Sequence, residues 1–252
     1  MKNIVLRPLV AAGRFARSEL GLAAALLVLA TGVVSFIDIS EDLGEHPNHE
    51  WDLSVLMALR VPGQPHDPIG PRWLEIVATD LTALGSTAVL ALLALLVGGF
   101  LLMKRKPWAV ATLGGALLGG LALSQTLKML FGRERPPQPY RLAEAINASF
   151  PSGHAMLSAI AFLTLGALLA KVLPERRAKA YVMAAAIFVA LLVGLTRIYL
   201  GVHWATDVMA GWAVGAAWAM FCWIVAWAIE RVRGKAGISE PHAGRSGTAP
   251  TG

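Results

Sequence analysis

Residues 81–103 read LTALGSTAVLALLALLVGGFLLM, a stretch without a single charge. A helix rises 1.5 Å per residue, so about 20 such residues cross a hydrocarbon core roughly 30 Å thick. A core helix of a soluble protein would keep a polar face, and this stretch has none. Four more runs are equally free of charge: Leu20 to Ile37, Trp108 to Leu127, Ala155 to Ala170 and Val208 to Ile229. With a shorter run between Lys179 and Arg197, the chain reads as six spans at 20–38, 81–103, 107–130, 152–172, 179–197 and 204–229. The predicted fold class is all-α, a polytopic membrane bundle of six transmembrane helices.

Composition agrees with this reading. The 252 residues are 56% hydrophobic and only 15% charged, with a mean hydropathy of +0.60; a soluble domain carries about 25% charge. The single cysteine, Cys222, lies inside an apolar run and excludes disulfides and cysteine-based zinc sites. A net charge of +6 would suit nucleic acid, but the basic residues form short clusters between apolar runs rather than one face, so no nucleic-acid partner is expected.

Those clusters set the orientation, because cytoplasmic loops retain Lys and Arg. Lys2, Arg7, Arg14 and Arg17 precede the first span, and Lys104, Arg105 and Lys106 follow the second. Lys171, Arg176, Arg177 and Lys179 follow the fourth, and Arg231, Arg233 and Lys235 the sixth. All four groups fall on one side, which predicts that both termini are cytoplasmic. The predicted organisation is a basic segment at 1–19, a membrane body at 20–231 and a disordered tail at 232–252, which is rich in Gly, Pro, Ser and Thr. The body contains an outer loop at 39–80 and a second outer loop at 131–151.

Within the first outer loop, the apolar positions 51, 53, 55, 56, 57 and 59 suit either a short interfacial helix or a partly ordered loop. The first span exceeds the 7–15 residues of a signal core and lacks a clear cleavage site, so it reads as uncleaved. Small residues recur in the spans, among them Gly98, Gly99, Gly114, Gly115, Gly119, Gly120, Gly194, Gly211 and Gly215, and small residues permit close helix packing in lipid.

Ionisable groups at the ends of apolar spans are costly, and three clusters of them fall on the outer face. The first is Lys128, Arg133 and Arg135 before Pro136; taken alone it suits either snorkelling cations or a phosphate pocket. The second is Pro151, Ser152, Gly153 and His154. Ser152 is a natural N-cap, and a helix N-terminus attracts anions, although the same residues make an ordinary helix start. The third is Arg197, His203 and Asp207. The last two are four residues apart, so the carboxylate can reach the ring and leave its other nitrogen free as a nucleophile; alternatively the pair simply joins two helices.

Together the clusters read K-x6-R-P, P-S-G-H and R-x5-H-x3-D. This resembles the three-part signature of the type 2 phosphatidic acid phosphatase superfamily, which includes bacterial acid phosphatases and vanadium haloperoxidases. The signature spans residues 128–207 and the six-span plan extends the likeness to most of the chain. One departure is Thr196, where the family usually has Ser before the Arg; the hydroxyl is kept, and its phosphate contact is expected to survive.

The resemblance implies metal-independent hydrolysis through a phosphohistidine, without a cofactor. His203 would attack phosphorus, Asp207 would orient the ring, and His154 would protonate the leaving oxygen. Lys128, Arg135, Arg197, Ser152 and Gly153 would hold the phosphate oxygens. Arg133 and Arg141 are expected as secondary head-group contacts, with Asp80 and Glu144 near the pocket mouth. His46, His49 and His66 lack a convincing metal-ligand spacing.

A site at the interface of a membrane body implies a lipid phosphate or diphosphate as substrate and the lipid bilayer as surroundings. The resemblance implies undecaprenyl diphosphate and phosphatidylglycerophosphate first, then lipid A and phosphatidic acid, and it implies a bacterial inner membrane, with the site expected on its outer face. Transfer to an acceptor hydroxyl, haloperoxidase chemistry and lipid-phosphate transport are the competing readings. The sequence assigns no oligomeric state.

Overall fold

The structure is a computed structural model that describes residues 2–45, 50–144 and 147–236. Helix α1 spans Lys2–Glu45, α2 Glu50–Ala58, α3 Arg72–Thr82, α4 Thr87–Met103, α5 Pro107–Phe131, α6 Gly153–Val172, α7 Arg176–Tyr199 and α8 Ala205–Ala236. A short antiparallel hairpin, β1 (Arg60–Val61) and β2 (Gln64–Pro68), lies between α2 and α3. Local chemistry sets several ends. The Ser86 side chain accepts from the Val89 amide at 3.3 Å to start α4. Proline at the first position of α5 loses no helical bond, and Gly132 closes that helix in the left-handed region.

Five described helices are long and apolar enough to cross a membrane: α1 from Glu19, α5, α6, α7 and α8 to Arg233. Helices α3 and α4 meet at a 52° bend near Ser86, and counting this broken pair as one span gives six. Read as one span, the pair starts at Arg72, before the boundary expected at 81. Helix α8 continues to Ala236, past the boundary expected at 231; the tail from 237 lies outside the described residues.

Helix α6 is the most buried span and contacts α5, α7 and α8, while α1 lies along α8. Leu90, Ala116, Met156, Leu157, Ile160, Ala161 and Val214 form the main apolar cluster. Helices α6 and α8 approach closely through their backbones. A Cβ on Gly211 would sit 2.7 Å from the Ser152 carbonyl oxygen, and one on Gly215 would sit 2.6 Å from that of Met156. These two glycines, four apart, let the backbones touch. Gly194 likewise receives the Trp212 ring, Gly119 the Trp218 ring and Gly120 the Ile160 side chain. Gly99, Gly114 and Gly115 face nothing within 4 Å, so the small residues do not all serve packing.

The segment expected as an outer loop at 39–80 is mostly regular structure. Helix α1 runs on to Glu45 and α3 packs on α7. Of the two alternatives for this stretch a short helix, α2, is the one formed; its Asp52 and Leu56 are buried against α8, while Trp51, Leu53 and Met57 are exposed. Arg60 is also buried. It donates to the carbonyls of Leu59 and Tyr199 at 3.0 Å, Pro65 at 3.1 Å and Tyr140 at 2.6 Å. Burial lowers its guanidinium pKa. Gly201, at φ +67°, lies beneath this clamp, with the Tyr140 carbonyl and the Arg60 guanidinium where a side chain would project.

The glycine contacts have opposite consequences on substitution. Gly194→Ala should lose about 1–3 kcal/mol by forcing the Trp212 ring aside, and Gly114→Ala, with open space around it, should melt no lower than the parent. Thermal unfolding in detergent reads both.

Candidate active site

Four helix ends converge on one face of the bundle. Lys128 comes from the last turn of α5, His154 from the first turn of α6, Arg197 from the last turn of α7 and Asp207 from the first turn of α8. The α5–α6 loop contributes Arg135 and Ser149, and the α7–α8 turn contributes His203. Backbone bonds hold these pieces in register: Ser152 N to Asp207 O at 2.9 Å, Ser149 N to Arg133 O at 2.8 Å and Leu142 N to Leu200 O at 3.0 Å.

His203 and Asp207 are both fully buried. The His203 Nδ1 lies 3.5 Å from Asp207 Oδ2 and 3.3 Å from Ser149 Oγ. Its Nε2 lies 3.2 Å from an Arg135 nitrogen. Asp207 accepts from Ser149 Oγ, from the Trp204 amide at 2.9 Å and from Arg133 at 2.6 Å. Burial pushes the His203 ring down to about 4, against the opposing pull of Asp207, with Arg135 and Arg197 lowering it further. The ring is therefore neutral at pH 7, the form in which an imidazole can act as a nucleophile.

The cations are positioned by carbonyl oxygens. Lys128 Nζ donates to Ala148 O at 2.8 Å. Arg135 donates to Asn147 O and to Val202 O, each at 2.7 Å. Arg197 donates to Thr82 Oγ1 at 3.1 Å, so the α3–α4 bend also touches the site. Two buried polar atoms here have no protein partner among the described residues, Arg197 Nε and Ser152 Oγ. Ser152 occupies the N-cap position of α6, but contrary to expectation its hydroxyl makes no capping bond. Gly153 sits beside Lys128, whose Cε lies 3.6 Å from where a Cβ would be. His154 is within electrostatic range of Arg197, His203, Lys128 and Arg135.

All eight residues singled out from the sequence thus meet in one place. Other expectations differ. Thr196 Oγ1 donates to Val193 O at 2.6 Å within its own helix, so its hydroxyl is already engaged. Arg133 is not a surface head-group contact: it is buried between Asp52 and Asp207, at 2.8 Å and 2.6 Å. Arg141 hydrogen-bonds the Pro136 carbonyl in its own turn. Asp80, Glu144 and His66 are exposed, and His46 and His49 lie outside the described residues. No group of three His, Cys, Asp or Glu among the described residues is placed to hold a metal ion.

Sequence reasoning missed Ser149, Thr82 and Asp52. Only Asp52 left a signal, an acid four residues before Leu56 and so on the same face of a mostly apolar helix. The arrangement as a whole provides a neutral imidazole backed by a carboxylate, facing a cluster of cations and free donors. Such an arrangement can hold an anion beside a group able to attack it.

Comparison with known proteins agrees. The family model of the PAP2 superfamily matches residues 108–231, which include every one of the eight. Phosphatidylglycerophosphatase B of Bacillus subtilis (strain 168) is 34% identical over 146 residues, 57% of this chain and 70% of that protein. The undecaprenyl-diphosphatase of Sulfolobus acidocaldarius is 31% identical over 126 residues, 48% of this chain and 56% of that protein. Among solved structures, the transmembrane PAP2 type phosphatidylglycerolphosphate phosphatase from Bacillus subtilis superposes with a TM-score of 0.73 at 27% identity, covering 81% of this chain and 98% of that one. Sequence, site and fold agree across the same helices: the chain belongs to the PAP2 superfamily, among its membrane lipid phosphatases.

Proposed function

We propose that the protein removes the phosphate of a lipid phosphomonoester in the head-group layer, with phosphatidylglycerophosphate as first substrate. The observation that carries this reading is the pair of unpartnered buried donors, Ser152 Oγ and Arg197 Nε, in the same site as the His203 ring. With Lys128, Arg135 and the Gly153 amide they supply the donors that a phosphate's non-bridging oxygens require. The choice of substrate follows the Bacillus subtilis relatives. The likeness to an undecaprenyl-diphosphatase supports a second substrate, a polyprenyl diphosphate.

In the first step His203 Nε2 forms a bond to phosphorus as the bond to the lipid oxygen breaks. His154 gives that oxygen its proton, and the substrate's negative charge favours the protonated form of His154. Asp207 stabilises the imidazolium of the resulting phosphohistidine. Water then attacks phosphorus with His154 as base, which releases inorganic phosphate and restores both rings. The fixed cations offset the developing charge, so the step is metal-independent. The excess of Lys and Arg at the opposite ends of the spans supports cytoplasmic termini and a site on the outer face of a bacterial inner membrane.

Purified protein in detergent with chelator should release phosphate from phosphatidylglycerophosphate faster than from undecaprenyl diphosphate, phosphatidic acid or lipid A. His203→Ala should lower the rate by about a thousand-fold or more without lowering the melting temperature; undiminished turnover would reject the nucleophile. The ring nitrogens of His203 should keep the neutral NMR pattern down to about pH 5, since its pKa is lowered to about 4; a midpoint near the ordinary value would contradict the buried geometry. A fluorescent protein fused after Gly252 should fold and fluoresce, and alkaline phosphatase there should be inactive; the reverse outcome would place the site on the cytoplasmic face.

A further inference from the structure

The carboxylate of Asp207 has two different sides. Its Oδ2 faces His203 and accepts from the Trp204 amide and Ser149, and its Oδ1 accepts from Arg133 at 2.6 Å. A guanidinium this close, in a site removed from water, would neutralise the charge that the imidazolium needs. Arg133 does not give itself wholly to Asp207. Its other terminal nitrogen donates to Asp52 Oδ2 at 2.8 Å, and the side chains of Arg133, Asp52 and Asp207 are 9%, 1% and 0% exposed. The planar fork of one arginine thus spans two carboxylates, and the trio keeps one net negative charge.

Asp52 is itself fixed from α8. Its Oδ1 accepts from the Thr206 amide at 2.9 Å, its Oδ2 accepts from the Thr206 hydroxyl, and that hydroxyl also accepts from Arg133 at 2.8 Å. Capping Thr206 would not need a charge, since neutral Asn or Ser caps a helix as well. A buried ion pair is also weak evidence of a purely stabilising role.

We propose that Asp52 is a positioning residue for catalysis: through Arg133 it orients Asp207 and keeps the carboxylate's negative charge available to His203. The inference rests on the phosphohistidine reading above, in which that charge matters to turnover. Asp52 lies outside the region matched by the family model, on a helix of the outer segment.

Asp52→Asn preserves shape and the cap on Thr206 while removing the charge. It should lower kcat about tenfold or more and leave KM within about twofold. Combined with Arg133→Gln it should cause no loss beyond that of Arg133→Gln alone, because Asp52 acts through Arg133. At pH 7 the ring 15N resonances of His203 should move toward those of a ring less strongly held by a carboxylate. Should Asp52→Asn not accumulate as folded protein, Arg133→Lys provides the same test: one ammonium retains the charge but cannot span both carboxylates, and kcat should again fall about tenfold. Wild-type kcat in either variant, additive losses in the double variant, or unmoved His203 resonances would overturn the proposal. The resonances are read without turnover. Retained activity in His203→Ala would therefore reject the phosphohistidine reading alone, and unmoved resonances beside an inactive His203→Ala would reject the role of Asp52 alone.

Discussion

The backbone contact between α6 and α8 is the constraint on which the site depends. Because Gly211 and Gly215 present no side chains, the two helices approach until carbonyl oxygens of α6 lie against the glycine Cα atoms. The Ser152 amide then reaches the Asp207 carbonyl, and two helix N-termini end side by side. Each contributes a partial positive charge. Helices α5 and α7 arrive with their C-termini, whose partial negative charge favours the cations Lys128 and Arg197 in their last turns. Helix polarity and side-chain charge thus agree at the ends of α5, α7 and α8, while the N-terminus of α6 adds a further positive end to the cationic cluster and so favours an anion there.

The segment before the catalytic region completes this assembly from outside. Arg60 ties the α5–α6 loop, at Tyr140, to the end of α7, at Tyr199. Asp52 reaches the start of α8, and Thr82, next to the α3–α4 bend, meets Arg197. Each of these contacts touches a residue of the catalytic face or the strand of chain that carries one. The segment from α2 to the α3–α4 bend is therefore a brace for the site.

The helical membrane bundle and the convergence of the eight candidate residues were legible because their signals are local. Charge-free runs longer than a bilayer's thickness have one economical explanation in water, and the three motifs fix residue types at fixed spacings. The brace was not legible for the complementary reason. Asp52 and Arg60 find their partners through contacts more than 70 residues away in sequence, and nothing in a stretch such as Trp51 to Arg60 states what it will pack against. Charge alone misled as well: Arg133 carries the same group as its neighbour Arg135, and only the fold turns one to the His203 ring and the other to a buried carboxylate pair. The glycines show the same limit. Gly114 and Gly211 are indistinguishable by composition, yet one faces open space and the other another helix.

No single helix of this protein contains the site; it exists only while the ends of four spans stay level with one another. A bilayer that is too thin or too thick is accommodated chiefly by helix tilt, and tilt moves the ends of long helices more than their middles. The Gly211 contact lies just one turn below Asp207, and α6 packs closely on α7 as well as on α8. The distance between the cations and the imidazole is thus set by how the four helices stand relative to one another, and not by any one of them.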